Sequence, residues 1–201
     1  GGRFVTTYWS GVVNETDLCH QNGFPGPLRP IMGIWAEEID GLYDHESNSI
    51  SGLDGNEQRL VGPYQVTHLC ELIHLEGARA LATYDSDFYA GRPAVTVNDY
   101  GKGQAYYIAS RNDLAFQRDF FTTLIQTLDL PRALPIDLPY GIVAHRRDDG
   151  ESEFIFVQNY TATPQHITLP AAYEEMTTGS TLSGSIDLSG YGCRILRRAL
   201  Q

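Results

Sequence analysis

A segment with three prolines in ten residues, Leu130 to Pro139, divides this chain into two parts with different patterns. Proline fixes its own backbone, lacks an amide donor and restricts the residue before it, so a helix or central strand does not continue through such a segment. Helical and apolar patterns precede the segment, whereas only short alternating stretches follow it. We therefore expect two domains, one over residues 1–135 and a smaller one over residues 136–201.

The first part opens with an apolar run over residues 4–10, which is typical of a buried strand in an open α/β sheet. A buried strand needs neighbours, and no strand or helix stands before this one, so we expect a sheet that lacks its N-terminal part. Residues 64–75 fit neither the helix nor the strand period, and both remain open. The other patterns predict a loop from Gly11, an irregular segment over 17–30, a short helix over 30–39, an exposed polar excursion over 44–62 and a strand over 78–84.

Two further elements of the first part have clearer signals. Residues 93–98 and 104–109 alternate around a glycine-containing turn at 99–103, which predicts a β-hairpin. Asp113 is a favourable N-cap, and apolar residues recur at helical spacing as far as Leu128, which predicts an amphipathic helix.

The second part carries short strands over 142–146, 153–159, 165–169 and 192–197, with a turn signal at 148–150. This pattern indicates a small antiparallel β-sandwich or barrel. A module of about 60 residues is marginally stable alone, so we expect contact with the neighbouring domain to stabilise it.

Charge and composition narrow the classes of function. The net charge of -11 opposes nucleic-acid binding, since neutralising phosphates requires clustered lysine and arginine. No apolar run approaches the roughly 20 residues that cross a bilayer, and no secretory leader pattern is found, so neither a membrane nor a secreted location is expected. The three cysteines, odd in number and far apart, fit a reducing cytoplasm.

Paired carboxylates are candidates for acid–base chemistry on a glycosidic bond. Glu37–Glu38 and Glu174–Glu175 are adjacent pairs, and adjacent residues cannot face one sugar from two sides. We interpret Glu37–Glu38 as surface or interface charge.

Nucleophile, metal and phosphate patterns are weak as well. Cys70 has His68 and His74 nearby but no flanking glycine, which favours a core thiol over a reactive one. Cys19–His20 has no second ligand pair at metal-binding spacing. Ser10 lacks the glycine of a nucleophile elbow. Gly101-Lys-Gly103 is better explained as a hairpin turn than as a phosphate loop.

Several aromatic residues could form a sugar-stacking platform, although packing in the core and at subunit contacts is the favoured explanation. They are Tyr8, Trp9, Phe24, Trp35, Tyr84, Phe88 and Tyr89. With the previous findings, no catalytic, cofactor-binding or metal-binding residue is expected in this chain.

Long motifs in the chain resemble those of glycoside hydrolase family 42, a family of β-galactosidases. The resemblance rests on Gly1 to Cys19, on Gly23 to Arg29 with Gly33 to Asp40, and on Cys70 to His74, Ala82 to Ala94 and Asn98 to Ile108. Residues from Leu138 onward are similar to the family's C-terminal β domain. The resemblance covers essentially the whole chain.

The resemblance implies an enzyme with an N-terminal (β/α)8 barrel, a middle α/β domain that forms a trimer, and a C-terminal β domain. The middle domain is expected to be an open flavodoxin-like or glutamine-amidotransferase-like sheet without the catalytic cysteine. Such enzymes hydrolyse terminal β-D-galactosides with retention, using two glutamates of the barrel. That barrel is absent from this chain, so no catalytic role, cofactor or metal carries over to its residues.

We therefore expect the non-catalytic assembly portion of a cytoplasmic β-galactosidase, which is inactive alone. Its expected partners are further copies in a homotrimer and the catalytic barrel, through segments 17–30 and 44–62. The alternative is a stand-alone carbohydrate-binding or assembly module derived from that family.

Overall fold

The chain forms two compact units, Gly1–Leu128 and Asp129–Gln201. A computed structural model describes residues 1–21 and 23–200. Unit 1 is built around a mixed sheet of eight strands, and unit 2 around an antiparallel sheet of five. The molecule is therefore rich in sheet, with few helices.

Unit 1 contains eight strands, two helices and a short 3₁₀ turn at Gly26–Leu28. The helices are α1 (Arg29–Met32) and α2 (Leu114–Thr127). The strands are β1 (Arg3–Thr7), β2 (Ile34–Gly41), β3 (Asn48–Gly52), β4 (Tyr64–Leu75), β5 (Arg79–Tyr84), β6 (Pro93–Tyr100), β7 (Gly103–Ile108) and β8 (Ser110–Asn112).

The strands of unit 1 lie in the order β1-β7-β6-β5-β3-β4-β2, and β8 also pairs with β4. Among the described residues, β1 and β7 are the only parallel pair, with Arg3 opposite Gln104 and Thr7 opposite Ile108. Every other pairing in this sheet is antiparallel. The expected flavodoxin-like detail is therefore not confirmed.

Alternation along the strands gives the sheet of unit 1 two buried faces. On one face, Phe116, Phe120 and Leu124 of α2 join the cluster that contains Tyr106 and Ile108. On the other face, Met32 of α1 joins the cluster that contains Tyr107. Consecutive residues of β7 thus contribute to opposite faces, so this strand is buried on both sides although it lies next to the edge strand β1.

The helix predicted over residues 30–39 is wrong beyond its first turn. Helix α1 ends at Gly33, whose φ of +61° and N–H bond to the Arg29 carbonyl form a left-handed C-cap. Ile34 then starts β2, which pairs with β4. Glycine takes this conformation without a Cβ penalty, so the helix stops where the glycine stands.

The exposed excursion predicted over residues 44–62 is confirmed at residues 44–47 and 53–55, which are exposed, but is wrong in between. It contains β3, which lies inside the sheet between β5 and β4. Ile50 and Leu60 are buried in the core, as is Gln58. The polar composition of this segment is typical of an exposed loop. The side chain of Asn48 is nevertheless buried, because its hydrogen bonds with the carbonyl and hydroxyl of Ser86 satisfy it.

Residues 64–75, where helix and strand were both open, form the strand β4. Its register shifts between Val66 and Cys70, and His68 has a φ of +70°. An irregularity of this kind inserts a residue and moves the following side chains to the opposite face. This explains why the apolar positions of the segment follow no single period.

Unit 2 is a single antiparallel sheet in the order β12-β11-β13-β10-β9. Its strands are β9 (Ile142–Asp148), β10 (Ser152–Asn159), β11 (Gln165–Glu175), β12 (Thr181–Leu188) and β13 (Cys193–Ala199). The antiparallel prediction is confirmed, but the two facing sheets of a sandwich are not found in the described residues, and β12 was missed. Leu134, Ile136 and Leu138 of the proline-rich segment pack on this core in place of a second sheet.

The hairpin and the long helix predicted in unit 1 are confirmed as β6–β7 and α2. Asp113 is the N-cap of α2, where its Oδ1 accepts a hydrogen bond of 2.9 Å from the Phe116 amide. The other carboxylate oxygen accepts from the Gln65 amide of β4 at 3.1 Å. One side chain thus fixes the start of α2 against the sheet.

We expect Asp113→Ala to lower the free energy of unfolding by about 1–2 kcal/mol, because two amide donors lose their acceptor. Asp113→Asn keeps one acceptor oxygen at the N-cap and should retain most of the stability. Urea denaturation followed by far-UV circular dichroism measures both. Equal midpoints for the alanine variant and the wild type would contradict the capping role.

Candidate functional site

The turn at Trp9 is the most unusual backbone feature at the end of the parallel strand pair. Strand β1 ends at Thr7, and the Tyr8 amide still donates to the Ile108 carbonyl of β7 at 2.8 Å. The next residue, Trp9, has a φ of +61°. A bulky residue in the left-handed region is strained and persists only where its surroundings hold it.

A buried carboxylate holds this turn. Glu71 of β4 is fully buried, and its Oε1 accepts the Trp9 amide at 2.8 Å. Its Oε2 accepts the Tyr107 hydroxyl of β7 at 2.6 Å. The backbone of Glu71 is fixed as well, since its amide donates to the Ala109 carbonyl. Glu71 therefore ties the end of β1 to β4 and β7.

Burial raises the pKa of Glu71, although the hydrogen bonds from the Trp9 amide and the Tyr107 hydroxyl oppose part of that rise. Burial also raises the pKa of Tyr107, and the neighbouring carboxylate adds to this effect. The raised pKa of Tyr107 keeps the proton on its hydroxyl, which donates to Glu71. The raised pKa of Glu71 means that its ionised form is less favoured here than in water.

The segment that follows, Tyr8–His20, is an ordered loop that we call the Trp9 projection. The Asn14 side chain accepts from the Thr16 amide, the Thr16 hydroxyl and the Leu18 amide, at 2.9 to 3.0 Å. A Cβ on Gly11 would lie 2.1 Å from the Pro25 carbonyl oxygen, so the loop sits directly on the backbone near Pro25. Hydrogen bonds and close packing therefore fix its shape.

The Trp9 projection presents apolar side chains to solvent. The exposed fractions are 66% for Trp9, 58% for Leu18 and 44% for Val13. A strand followed by a residue with positive φ is also how a nucleophile elbow presents its serine. Here the residue at that place is a tryptophan, whose ring can contact a partner but has no nucleophilic atom.

A second cluster surrounds Trp35 on β2. The ring of Trp35 stacks on His74 with centroids 4.9 Å apart, and the Arg29 guanidinium lies 5.7 Å from the Trp35 ring. His74 Nε2 lies 2.6 Å from Glu37, and Arg29 pairs with Glu76. The hydrogen bond with His74 lowers the pKa of Glu37. This cluster is half-exposed and satisfied by its own members.

The residues considered for nucleophilic or metal chemistry do not come together. Cys70 is fully buried, and burial raises the pKa of its thiol to about 11, as expected for a core thiol. His74 is engaged with Trp35 and Glu37 instead. Cys19 is exposed on the Trp9 projection. Residues 1–21 and 23–200 contain no group of three or more metal-ligating side chains, and none of their helices has the length and apolar character of a membrane span.

Three of the adjacent carboxylates have partners of their own. Glu37 pairs with His74 and Arg92 at the surface of unit 1. In unit 2, Glu174 pairs with Arg197, while the buried Glu175 accepts from the amide and hydroxyl of Thr178.

Among the aromatic residues considered for a sugar-stacking platform, Tyr8, Phe24 and Trp35 are partly buried. Tyr84 and Tyr89 are buried and pack edge to face, whereas Trp9 and Phe88 face solvent. Sequence reasoning missed Glu71 because its partners lie 62 and 36 residues away. The only signal was a carboxylate inside the apolar run Leu69–Ile73.

Comparison with known proteins decides the family. Residues 1–131 match the model of the β-galactosidase trimerisation domain, and residues 141–198 match the β-galactosidase C-terminal domain. The chain belongs to the β-galactosidases of glycoside hydrolase family 42. It corresponds to their C-terminal part, so the resemblance seen in the sequence is confirmed.

The relatives of this family 42 chain are much longer than the chain itself. It is 48% identical over 199 residues to β-galactosidase Pbg of Clostridium perfringens, covering 98% of this chain and 29% of that protein. It is 43% identical to β-galactosidase BglY of Alicyclobacillus acidocaldarius, with the same two shares. The chain thus spans about 29% of the length of these relatives.

Solved structures of the family share the fold. The β-galactosidase of Rahnella sp. R3 is 62% identical with a TM-score of 0.87, and the match covers 100% of this chain and 29% of that one. The β-galactosidase of Bacillus circulans sp. alkalophilus is 38% identical with a TM-score of 0.86, covering 99% and 29%.

The first prediction of this site concerns the Trp9 amide. Replacing Glu71 by methionine removes the acceptor, so the hydrogen-exchange protection of that amide should fall by about tenfold or more. Glu71→Gln keeps an acceptor oxygen and should retain most of the protection. Amide exchange read by mass spectrometry or NMR measures the effect. Unchanged protection in the methionine variant would contradict the role of Glu71.

The second prediction concerns pH. Because burial raises the folded pKa of Glu71 above its ordinary value of 4.5, the folded state binds this proton more tightly. Its stabilising contribution is complete below the ordinary pKa and is lost as pH rises through the raised folded pKa. As pH rises from below 4.5 through the raised folded pKa, wild type should therefore lose stability relative to Glu71→Gln. Urea unfolding curves that run parallel across this range would contradict this.

Proposed function

We propose that this chain is the assembly portion of a β-galactosidase that hydrolyses terminal β-D-galactosides with retention. Unit 1 would join copies into a homotrimer, and unit 2 would support it. The match of residues 1–131 to a domain described as a trimerisation domain carries this proposal. A catalytic barrel outside this chain would contain both glutamates, so the chain alone is expected to be inactive.

The match covers only part of much longer relatives, which supports a chain that assembles the protein while a separate domain catalyses the reaction. The relatives are named β-galactosidases, and this chain covers only 29% of them. Retaining hydrolysis needs two carboxyl groups about 5 Å apart, on either side of the glycosidic bond. The most deeply buried carboxylate of unit 1, Glu71, is used to fix a backbone turn instead.

Finer features of this proposal follow from the same resemblance. The domains would span residues 1–135 and 136–201, and the first would be a flavodoxin-like or glutamine-amidotransferase-like sheet. The parallel pair of β1 and β7 supports such a sheet. Cys19, Cys70 and Cys193 are all free thiols, which supports a cytoplasmic location.

A stand-alone sugar-binding module is less well supported. Its aromatic platform would need several exposed rings with free polar groups beside them. Tyr84 and Tyr89 are buried, and Trp35 is stacked on His74. Calorimetric titration of the chain with galactose or lactose distinguishes this alternative, since the assembly proposal predicts no saturable heat.

The direct test compares this chain with the complete protein that contains it. We expect the complete protein to hydrolyse a chromogenic β-galactoside and to have the native mass of three copies by light scattering. The isolated chain should show no hydrolysis above buffer. Hydrolysis by the purified chain, or a monomeric active protein, would contradict the proposal.

A further inference from the structure

The Trp9 projection has a rigid loop but places its large apolar side chains in solvent. Trp9, Val13 and Leu18 are all exposed, whereas the loop beneath them is fixed by Asn14 and by the packing of Gly11. Isolated exposed apolar residues are common on surfaces, but here three lie on one short ordered loop. Concentrations of exposed apolar side chains are a feature of protein–protein contact sites.

The backbone of this projection is held from below. Glu71 is fully buried, and one of its two oxygens accepts the amide of Trp9. Burying a carboxylate is costly, and here it maintains a left-handed turn whose side chain points away from the core of unit 1. The arrangement fixes the direction of the indole ring before any partner binds, which reduces the ordering cost of binding.

We propose that the Trp9 projection is an anchor through which one copy of the complete protein binds a second copy, with Glu71 as its positioning residue. This inference rests on the proposed assembly function and names the surface that performs it. The projection lies within residues 1–131, the region that matches the trimerisation domain. Tryptophan is also enriched among the hot spots of protein–protein interfaces, the few residues that contribute most of the binding free energy.

The chemistry of the projection disfavours other partners. The hydroxyls of Thr6 and Ser10 beside Trp9 bond each other, and Ser10 also donates to the Thr7 carbonyl, so they are already used and offer little to a sugar. Glu15 and Asp17 make the loop acidic, which opposes nucleic acid and anionic membranes. The complementary surface on the second copy should be apolar with a basic rim.

The test uses the complete protein with Trp9→Ala and a matched control, Tyr191→Ala. Tyr191 is also an exposed aromatic residue with positive φ, but it lies in unit 2. Mass photometry over a dilution series gives the concentration at which half of each variant is dissociated. We expect Trp9→Ala to raise that concentration by about tenfold or more, and the control to change it little. A Trp9→Ala protein as tightly associated as wild type overturns the inference.

The positioning role of Glu71 has its own readout. Glu71→Met should weaken association as Trp9→Ala does, Glu71→Gln should restore most of it, and the Trp9→Ala/Glu71→Met double variant should add little to either single change. Fully additive effects would overturn the positioning role. Leu18→Glu should also weaken association under this inference. Because Leu18 is exposed in the single copy, this variant is expected to fold normally and tests the anchor even if a Glu71 variant misfolds.

Three outcomes bear on this inference and on the proposed function. A wild-type protein that is monomeric at every concentration overturns both. A stable wild-type oligomer whose association is unchanged by Trp9→Ala and Leu18→Glu leaves the assembly function standing and overturns the anchor alone. A change in kcat/KM of Trp9→Ala at a concentration where it is fully associated would identify a sugar contact and likewise overturns the anchor.

Discussion

The hydrogen bonds of the buried Glu71 carboxylate hold the end of β1, the middle of β4 and the end of β7 in one arrangement. An ionised group inside a protein is stable only when it is paired or hydrogen-bonded, so the strands around Glu71 must keep their positions for the charge to remain buried. The shape of the Trp9 projection follows from this constraint. The exposed surface of the Trp9 projection is thus set by a buried hydrogen bond.

Signals in the sequence correctly identified the elements whose ends are set by interactions between residues close together in the chain. Asp113 at a helix start and glycines at 101 and 103 predicted α2 and the β6–β7 hairpin, because caps and turns act within a few residues. Gly33 contradicted the predicted helix over 30–39, although a C-capping glycine is itself a readable signal. Strand β3 was missed because its polar residues are satisfied by partners far along the chain, such as Ser86 for Asn48.

The candidate site depended on distant pairings that no single sequence reveals. Glu71 stands out only as a carboxylate in an apolar run, and nothing local links it to Trp9 or Tyr107. Two Asn-x-Thr triplets, Asn14 to Thr16 and Asn159 to Thr161, likewise have a role that the sequence alone does not reveal. They resemble glycosylation sites, yet Asn14 and Asn159 each accept the amide and hydroxyl of the threonine two residues later and thereby close a loop. The family resemblance, by contrast, rests on long motifs and was confirmed.

Under the two proposals, unit 1 assembles the complete protein and the Trp9 projection makes contact with a second copy. An electron cryo-microscopy structure of the complete protein, at a resolution that shows aromatic side chains, tests them most directly. The account predicts three copies in which the Trp9 ring of each is buried against another copy, with Glu71 beneath its amide. A monomer, or a trimer in which Trp9 faces solvent in every copy, would contradict it.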